Sequence, residues 1–146
     1  MTSIPSNEVY QAVQAGSLEA AYTSSASLMS FKLQELTKNF TTARKRTNWF
    51  MLEPLMMSKS VFESLPKAHQ EAIMAVGEQM EAFGTQSSKE DDVRAAEVFG
   101  KAGNGVFDMD DAAIEKWRAV AQASAWKEFA GRNETCAAMM ASATKL

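Results

Sequence analysis

The feature that most constrains the fold is a long stretch of helical sequence between Pro66 and Gly103. Proline suits the first turn of a helix, and glycine is common just past a helix end. Between them, apolar residues recur at spacings of three and four on one side, while charged and amide residues take the other side. The pattern predicts one long helix whose apolar side faces a core. In its first half the apolar positions are Ile73, Val76, Met80 and Phe83.

Before this helix, the sequence predicts short elements of both kinds. An amphipathic helix is expected over residues 6–15, because Val9, Tyr10 and Val13 recur at helical spacing. Gly16 stands just past its end, where glycine is common. Residues 17–22 fit a buried strand, and the hydroxyl-rich residues 23–27 come just before a second apolar helix pattern. The most apolar stretch, residues 48–57, fits a buried strand in which Pro54 marks a bulge or an edge.

The rest of the chain is mainly helical. A helix is predicted at residues 58–65, and a short edge strand at residues 105–107. Asp108, Asp110 and Asp111 suit the positive end of a further helix that runs to Gly131, and a last helix covers residues 133–143. The predicted class is therefore α/β with a mixed sheet and covering helices, helix-rich toward the end. No internal repeat or linker indicates a domain boundary.

Composition and charge exclude several classes of partner. The chain has 146 residues, which fits one domain or a piece of one. Its 15 basic and 18 acidic residues give a net charge of -3 without a basic stripe, so nucleic acid is not an expected partner. The single cysteine, Cys136, excludes an intramolecular disulfide. No apolar stretch approaches the ~20 residues that span a bilayer, and residues 1–5 lack the pattern of a signal peptide.

A search for catalytic chemistry finds no candidate. His69 stands in a polar helix turn and has no second histidine or cysteine at metal-ligand spacing. The sequence contains no Gly-x-Ser-x-Gly nucleophile motif and no glycine-rich loop that would cradle a phosphate. We therefore expect no enzyme activity, no metal ion and no cofactor.

Two stretches are candidates for binding a ligand. Tyr22, Thr23, Ser24 and Ser25 lie where a strand ends and a helix begins, so their hydroxyls and the free backbone N–H groups of that helix start could hold a carboxylate. From periodicity alone, the same residues are more typical of a simple helix cap. Asn48 and Trp49 offer an amide and a flat aromatic wall, although aromatic residues in an apolar strand more often belong to a core.

The basic triplet Arg44, Lys45 and Arg46 leaves two interpretations open. It could attract an anion toward a cleft, or it could be a solvated loop between two elements.

Three segments resemble the solute-binding receptors of TRAP (tripartite ATP-independent periplasmic) transporters, the DctP-like family. Residues 4–21 resemble the motif P-x-x-E-[VL]-Y-x-A-[LM]-Q-x-G-x-[VL]-D-[GA]-A, although Glu19 and Ala20 stand where the family commonly has Asp-Gly. Residues 32–38 resemble K-L-x-E-[LV]-x-K, and residues 57–66 resemble [MI]-[NS]-K-x-x-[FW]-[DE]-[SK]-L-P. The order and spacing of the three segments agree with the family as well.

The resemblance implies a function and a place in the receptor. In this family two α/β lobes close on a small organic acid, and an arginine expected upstream of Ile4 usually pairs with its carboxylate. The chain is thus expected to be a carboxyl-terminal fragment of a periplasmic receptor that binds a carboxylate and works with TRAP membrane subunits. The resemblance places Thr23, Ser24 and Ser25 at the rim of the cleft and Trp49 close to the ligand, beside the candidate Asn48.

Two further expectations follow for the isolated chain. If residues 48–57 normally join the sheet of the missing lobe, their apolar side chains lose their cover, and the fragment should form a homodimer. The alternative function is a helical interaction module without a small-molecule ligand, which the ten methionines and the helices of the second half favour.

Overall fold

The computed structural model describes residues 2–144, which form helices around one small sheet. The strands are β1 (Asn39–Thr42) and β2 (Gly105–Asp108). The α-helices are α1 (Val9–Gln14), α2 (Ser25–Ser30), α3 (Lys59–Ser64), α4 (Lys67–Lys101), α5 (Asp111–Ala121), α6 (Lys127–Ala130) and α7 (Glu134–Ala143). There are also 3-10 turns at Ser6–Glu8 and Leu33–Glu35, and a π-helical segment at Gln122–Trp126 that joins α5 to α6.

Local sequence signals set most of the helix ends. The long helix α4 begins after Pro66 and ends before Gly103, whose φ of 87° is in the left-handed region that glycine adopts without strain. Gly16, with φ of 71°, follows α1 in the same way. Three other helices, α2, α5 and α7, are capped by a side-chain oxygen that accepts a hydrogen bond from a backbone N–H of the first turn. The capping residues are Ser24, Asp110 and Asn133. The helices predicted at residues 6–15, 58–65, 66–103 and 133–143 are confirmed.

The two strands run parallel, with Asn39 opposite Gly105 and Thr42 opposite Asp108. Parallel strands need a crossover connection, which here contains α3 and α4, and α4 packs on both strands. A Cβ at Gly105 would lie 2.8 Å from Asn39 Oδ1, so the close pairing favours glycine there. The strand β2 was predicted, whereas β1 was not.

The core lies between the sheet, the last third of α4 and the amino-terminal helices. Phe40 of β1 stacks on Phe99 of α4, with 4.3 Å between the ring centroids. Val9, Leu33 and Ala95 are buried beside this pair. The sheet and α4 are therefore held to the segment before residue 40, which contains the candidate ligand residues Thr23, Ser24 and Ser25.

Two strand predictions are wrong. Residues 17–22 and 48–57 form neither helix nor strand. In the second segment Phe50, Leu52 and Leu55 are exposed at 87%, 88% and 99%. A strand needs a neighbouring strand for its backbone hydrogen bonds, and neither segment has one within residues 2–144. The residue pattern predicted that both segments are buried strands. A pattern within one segment does not show whether a partner strand lies beside it.

The prediction that the first half of α4 faces a core is wrong for the described residues. Its predicted apolar side, Ile73, Val76, Met80 and Phe83, is exposed. The buried residues of α4 are confined to its last third, at Ala95, Ala96 and Phe99. The helix therefore carries an apolar stripe that packs on nothing within residues 2–144.

None of the helices within residues 2–144 combines the length and the apolar character needed to cross a bilayer. Over the same range, no cluster of histidine, cysteine and carboxylate side chains could hold a metal ion.

Candidate functional site

The structure brings the two candidate ligand stretches together through Tyr22. Its hydroxyl donates a hydrogen bond to Asn48 Oδ1 at 2.5 Å. Its ring lies against the Trp49 ring, with 5.1 Å between centroids and 55° between planes, a tilted contact that aromatic pairs favour. Tyr22 immediately precedes Thr23, so the amide, the indole and the hydroxyl-rich segment share one region. We call Tyr22, Asn48 and Trp49 the aromatic–amide cluster.

Tyr22 begins the first candidate stretch, but the family resemblance assigned the rim of the cleft only to Thr23, Ser24 and Ser25. The predicted buried strand at residues 17–22 also ended at Tyr22. In the structure 62% of its surface is exposed. Burial of the remainder raises the pKa of Tyr22, and the hydrogen bond to Asn48 partly opposes this. The phenol therefore stays protonated at neutral pH and acts as a donor.

Two hydrogen bonds between the Thr47 side chain and the Trp49 backbone fix the chain on both sides of Asn48. The Trp49 backbone N–H donates to Thr47 Oγ1 at 3.2 Å, and this hydroxyl donates to the Trp49 carbonyl oxygen at 2.9 Å. Short-range bonds of this kind, from a threonine side chain to nearby backbone, stabilise a turn. The turn presents Asn48 half-buried and Trp49 37% exposed.

The hydroxyls of Ser24 and Ser25 are engaged within the protein. Ser24 Oγ accepts the Ser27 backbone N–H at 3.2 Å and so caps α2. Ser25 Oγ donates to Asp92 Oδ1 at 2.5 Å and ties α2 to α4. These contacts favour the capping interpretation for both serines. Thr23 is half-buried beside Tyr22.

The basic triplet forms ion pairs with carboxylates at the end of β2 and at the start of α5. Arg44 Nε and Nη2 donate to Asp108 Oδ1 and Oδ2 at 2.8 and 3.0 Å, and Lys45 Nζ lies 2.8 Å from Asp108 Oδ2. Arg46 pairs with Asp111 at 2.8 Å. The triplet is therefore neither a free anion attractor nor a purely solvated loop. It fastens the carboxyl end of β1 to that of β2 and to the start of α5.

These contacts hold the pKa of Asp108 far below its ordinary value. The hydrogen bonds from Arg44, Lys45 and Thr42 all favour the ionised carboxylate, in that order of effect, and outweigh its partial burial.

The depressed pKa of Asp108 predicts a dependence of stability on pH. A carboxyl whose folded pKa is lower than its unfolded pKa stabilises the fold above the unfolded pKa of about 3.9, and this contribution falls as the pH decreases below that value. Urea unfolding of the wild type and of Asp108→Asn should therefore differ most near pH 7, and the difference should begin to shrink as the pH falls below about 4 and shrink further toward the much lower folded pKa. Asp111→Asn, at an exposed ion pair, is the matched control and should show a small difference throughout. A wild-type advantage over Asp108→Asn that is independent of pH would contradict this role.

The chain belongs to the bacterial extracellular solute-binding protein family 7, also called DctP, whose family model matches residues 1–133. This membership confirms the relationship inferred from the three sequence motifs. The family consists of binding proteins, in agreement with the prediction that the chain is not an enzyme.

Individual relatives agree with this assignment. A solute-binding protein of Albidiferax ferrireducens is 47% identical over 141 residues, which are 97% of this chain and 42% of that protein. One from a Sulfitobacter species is 31% identical over 132 residues, covering 86% of this chain and 39% of the relative. A crystal structure of a TRAP periplasmic solute-binding protein from Rhodoferax ferrireducens, with bound malonate, superposes with a TM-score of 0.93 at 46% identity.

That superposition covers 99% of this chain and 46% of the Rhodoferax protein. The chain thus spans less than half the length of the relatives that it matches. The α/β fold class, as part of a two-lobed solute-binding protein, is confirmed by this match.

Proposed function

We propose that this chain is the carboxyl-terminal part of a periplasmic TRAP receptor that binds a small organic carboxylate for uptake through the membrane subunits of the transporter. The observation that supports it best is the aromatic–amide cluster, because it joins both predicted ligand stretches in a chain of the solute-binding family. Malonate, the ligand in the Rhodoferax relative, is a small dicarboxylate and suits a site in which an amide donor lies beside an aromatic wall.

The proposed contacts divide into two groups. Asn48 would donate to the carboxylate, and Trp49 would cover the apolar part of the ligand. Thr23, Ser24 and Ser25 would form the rim, where Ser24 and Ser25 act mainly by holding α2 against α4. The arginine that the family resemblance implies lies upstream of Ile4, so full affinity requires the complete receptor.

A helical interaction module has less support than a receptor. The chain belongs to a solute-binding family, and α4 packs on a parallel strand pair. Its exposed apolar stripe at Ile73, Val76, Met80 and Phe83 would instead be covered by the other half of the receptor. In the isolated chain, that stripe and residues 49–57 would favour a homodimer.

Replacing Trp49 by alanine tests the proposal in the full-length receptor. Losing the aromatic wall should weaken malonate binding by about 1–3 kcal/mol, while stability to urea should change little because the indole is partly exposed. Calorimetric titration measures the affinity, and Trp117→Ala, an exposed tryptophan on α5, is the matched control. Unfolding of Trp49→Ala without a separate loss of affinity would show that Trp49 is a core residue.

A further inference from the structure

We infer that Tyr22 is a positioning residue that fixes the orientation of the Asn48 amide, so that the cluster offers N–H donors and thereby selects anionic ligands. This inference rests on the proposed carboxylate-binding function. It starts from the direction of one hydrogen bond, in which the Tyr22 hydroxyl donates and Asn48 Oδ1 accepts.

The two ends of an asparagine side chain have opposite chemistry. Oδ1 accepts hydrogen bonds, whereas Nδ2 carries two N–H donors. Because Tyr22 occupies Oδ1, the donor end remains for another partner, and within residues 2–144 Asn48 Nδ2 makes no hydrogen bond to the protein. The opposite orientation would present a lone-pair oxygen, which repels a carboxylate. The Tyr22 hydroxyl therefore determines whether Asn48 attracts or repels an anion.

Three restraints hold this arrangement before any ligand arrives. The Tyr22 ring leans on Trp49, the Thr47 hydroxyl clamps the backbone around Asn48, and the phenol binds Oδ1. The raised pKa of Tyr22 keeps its proton available for donation. A donor that is already oriented costs less entropy to engage than a mobile one.

Tyr22→Phe isolates the hydroxyl, since it removes the hydrogen bond and keeps the ring against Trp49. Loss of one such bond corresponds to roughly a 3- to 10-fold loss of affinity. In the full-length receptor, calorimetric titration with malonate should show this loss for Tyr22→Phe. In an Asn48→Ala background the same substitution should have no effect, because a positioning residue acts only through its partner. Tyr10→Phe is the matched control: it removes a hydroxyl that bonds Glu35 and leaves the cluster intact.

A second measurement needs no ligand. The Asn48 side-chain amide gives a pair of proton–nitrogen NMR signals in the 146-residue chain, and these should shift and broaden in Tyr22→Phe but remain unchanged in Tyr10→Phe.

These measurements test the positioning role of Tyr22 separately from the proposed carboxylate-binding function. A Tyr22→Phe loss that persists in the Asn48→Ala background, or unchanged Asn48 signals, would overturn the positioning role. If the unmodified receptor binds none of malonate, succinate and acetate, the proposed function fails. If the Asn48 signals still shift in Tyr22→Phe in that case, Tyr22 does orient the Asn48 amide. The claim that this orientation selects anionic ligands would be overturned.

Discussion

Phe99→Ala is expected to lower the free energy of unfolding by about 3–5 kcal/mol, the usual cost of removing a buried phenylalanine from a packed core. Phe99 is 1% exposed and stacks on Phe40, so it joins α4 to β1. The buried apolar residues within 2–144 are few, namely Val9, Leu33, Phe40, Ala95, Ala96 and Phe99. Since a small domain has only about 5–15 kcal/mol of stability, this substitution should remove a large part of it and lower the urea midpoint of unfolding accordingly.

Urea unfolding followed by far-ultraviolet circular dichroism measures this effect. Phe107→Ala is the matched control, because Phe107 is an aromatic residue of β2 with 56% of its surface exposed. It should cost about 1 kcal/mol or less. Equal losses for the two variants would show that the stacked pair is not the centre of the core.

The helices could be predicted because their signals are local. Pro66 and Gly103 bound α4, and Asn133 caps α7, as each residue would in any fold. The strand β1 escaped prediction because it is short and polar, with Phe40 and Thr42 as its only buried residues. Its existence depends on pairing with β2, which lies beyond the long helix in sequence and leaves no local trace.

The errors in predicting burial share one physical cause. Periodicity shows that Ile73 and Phe83 lie on one side of α4, but it does not show whether anything covers that side. The relatives are more than twice as long as the matched region, which is consistent with a cover supplied by another part of the receptor. Residues 49–57 are exposed for the same reason, since the strand predicted at residues 48–57 would need a partner strand that residues 2–144 do not provide.

The candidate site was partly predictable for a similar reason. Asn48 was identified by its chemistry, Trp49 by its chemistry and by family resemblance, and Thr23 by its place before a helix and by the same resemblance. Tyr22 could not be assigned from sequence alone, because its role depends on a contact with Asn48, 26 residues away.

The isolated chain is expected to form a homodimer at micromolar concentration. Residues 49–57 expose a segment that is apolar except for Glu53, with Met56 exposed at 82% and Leu52 and Leu55 at 88% and 99%. Burying such a surface gains ~25 cal/mol for each Å² of apolar area, and an extended segment without a strand partner is a template for pairing with a second copy. The full-length receptor, in which the other half would cover this segment, should be monomeric.

Light scattering coupled to size exclusion gives the mass of both proteins, and charge placed in the segment tests the interface. Leu52→Lys with Leu55→Lys should shift the chain toward monomer, because a lysine buried without a partner is strongly unfavourable. Met139→Lys, which charges an exposed apolar position on α7, should leave the dimer intact. A wild-type chain that is monomeric and melts sharply would mean that residues 49–57 need no cover, and that the fold is stable without the other half of a receptor.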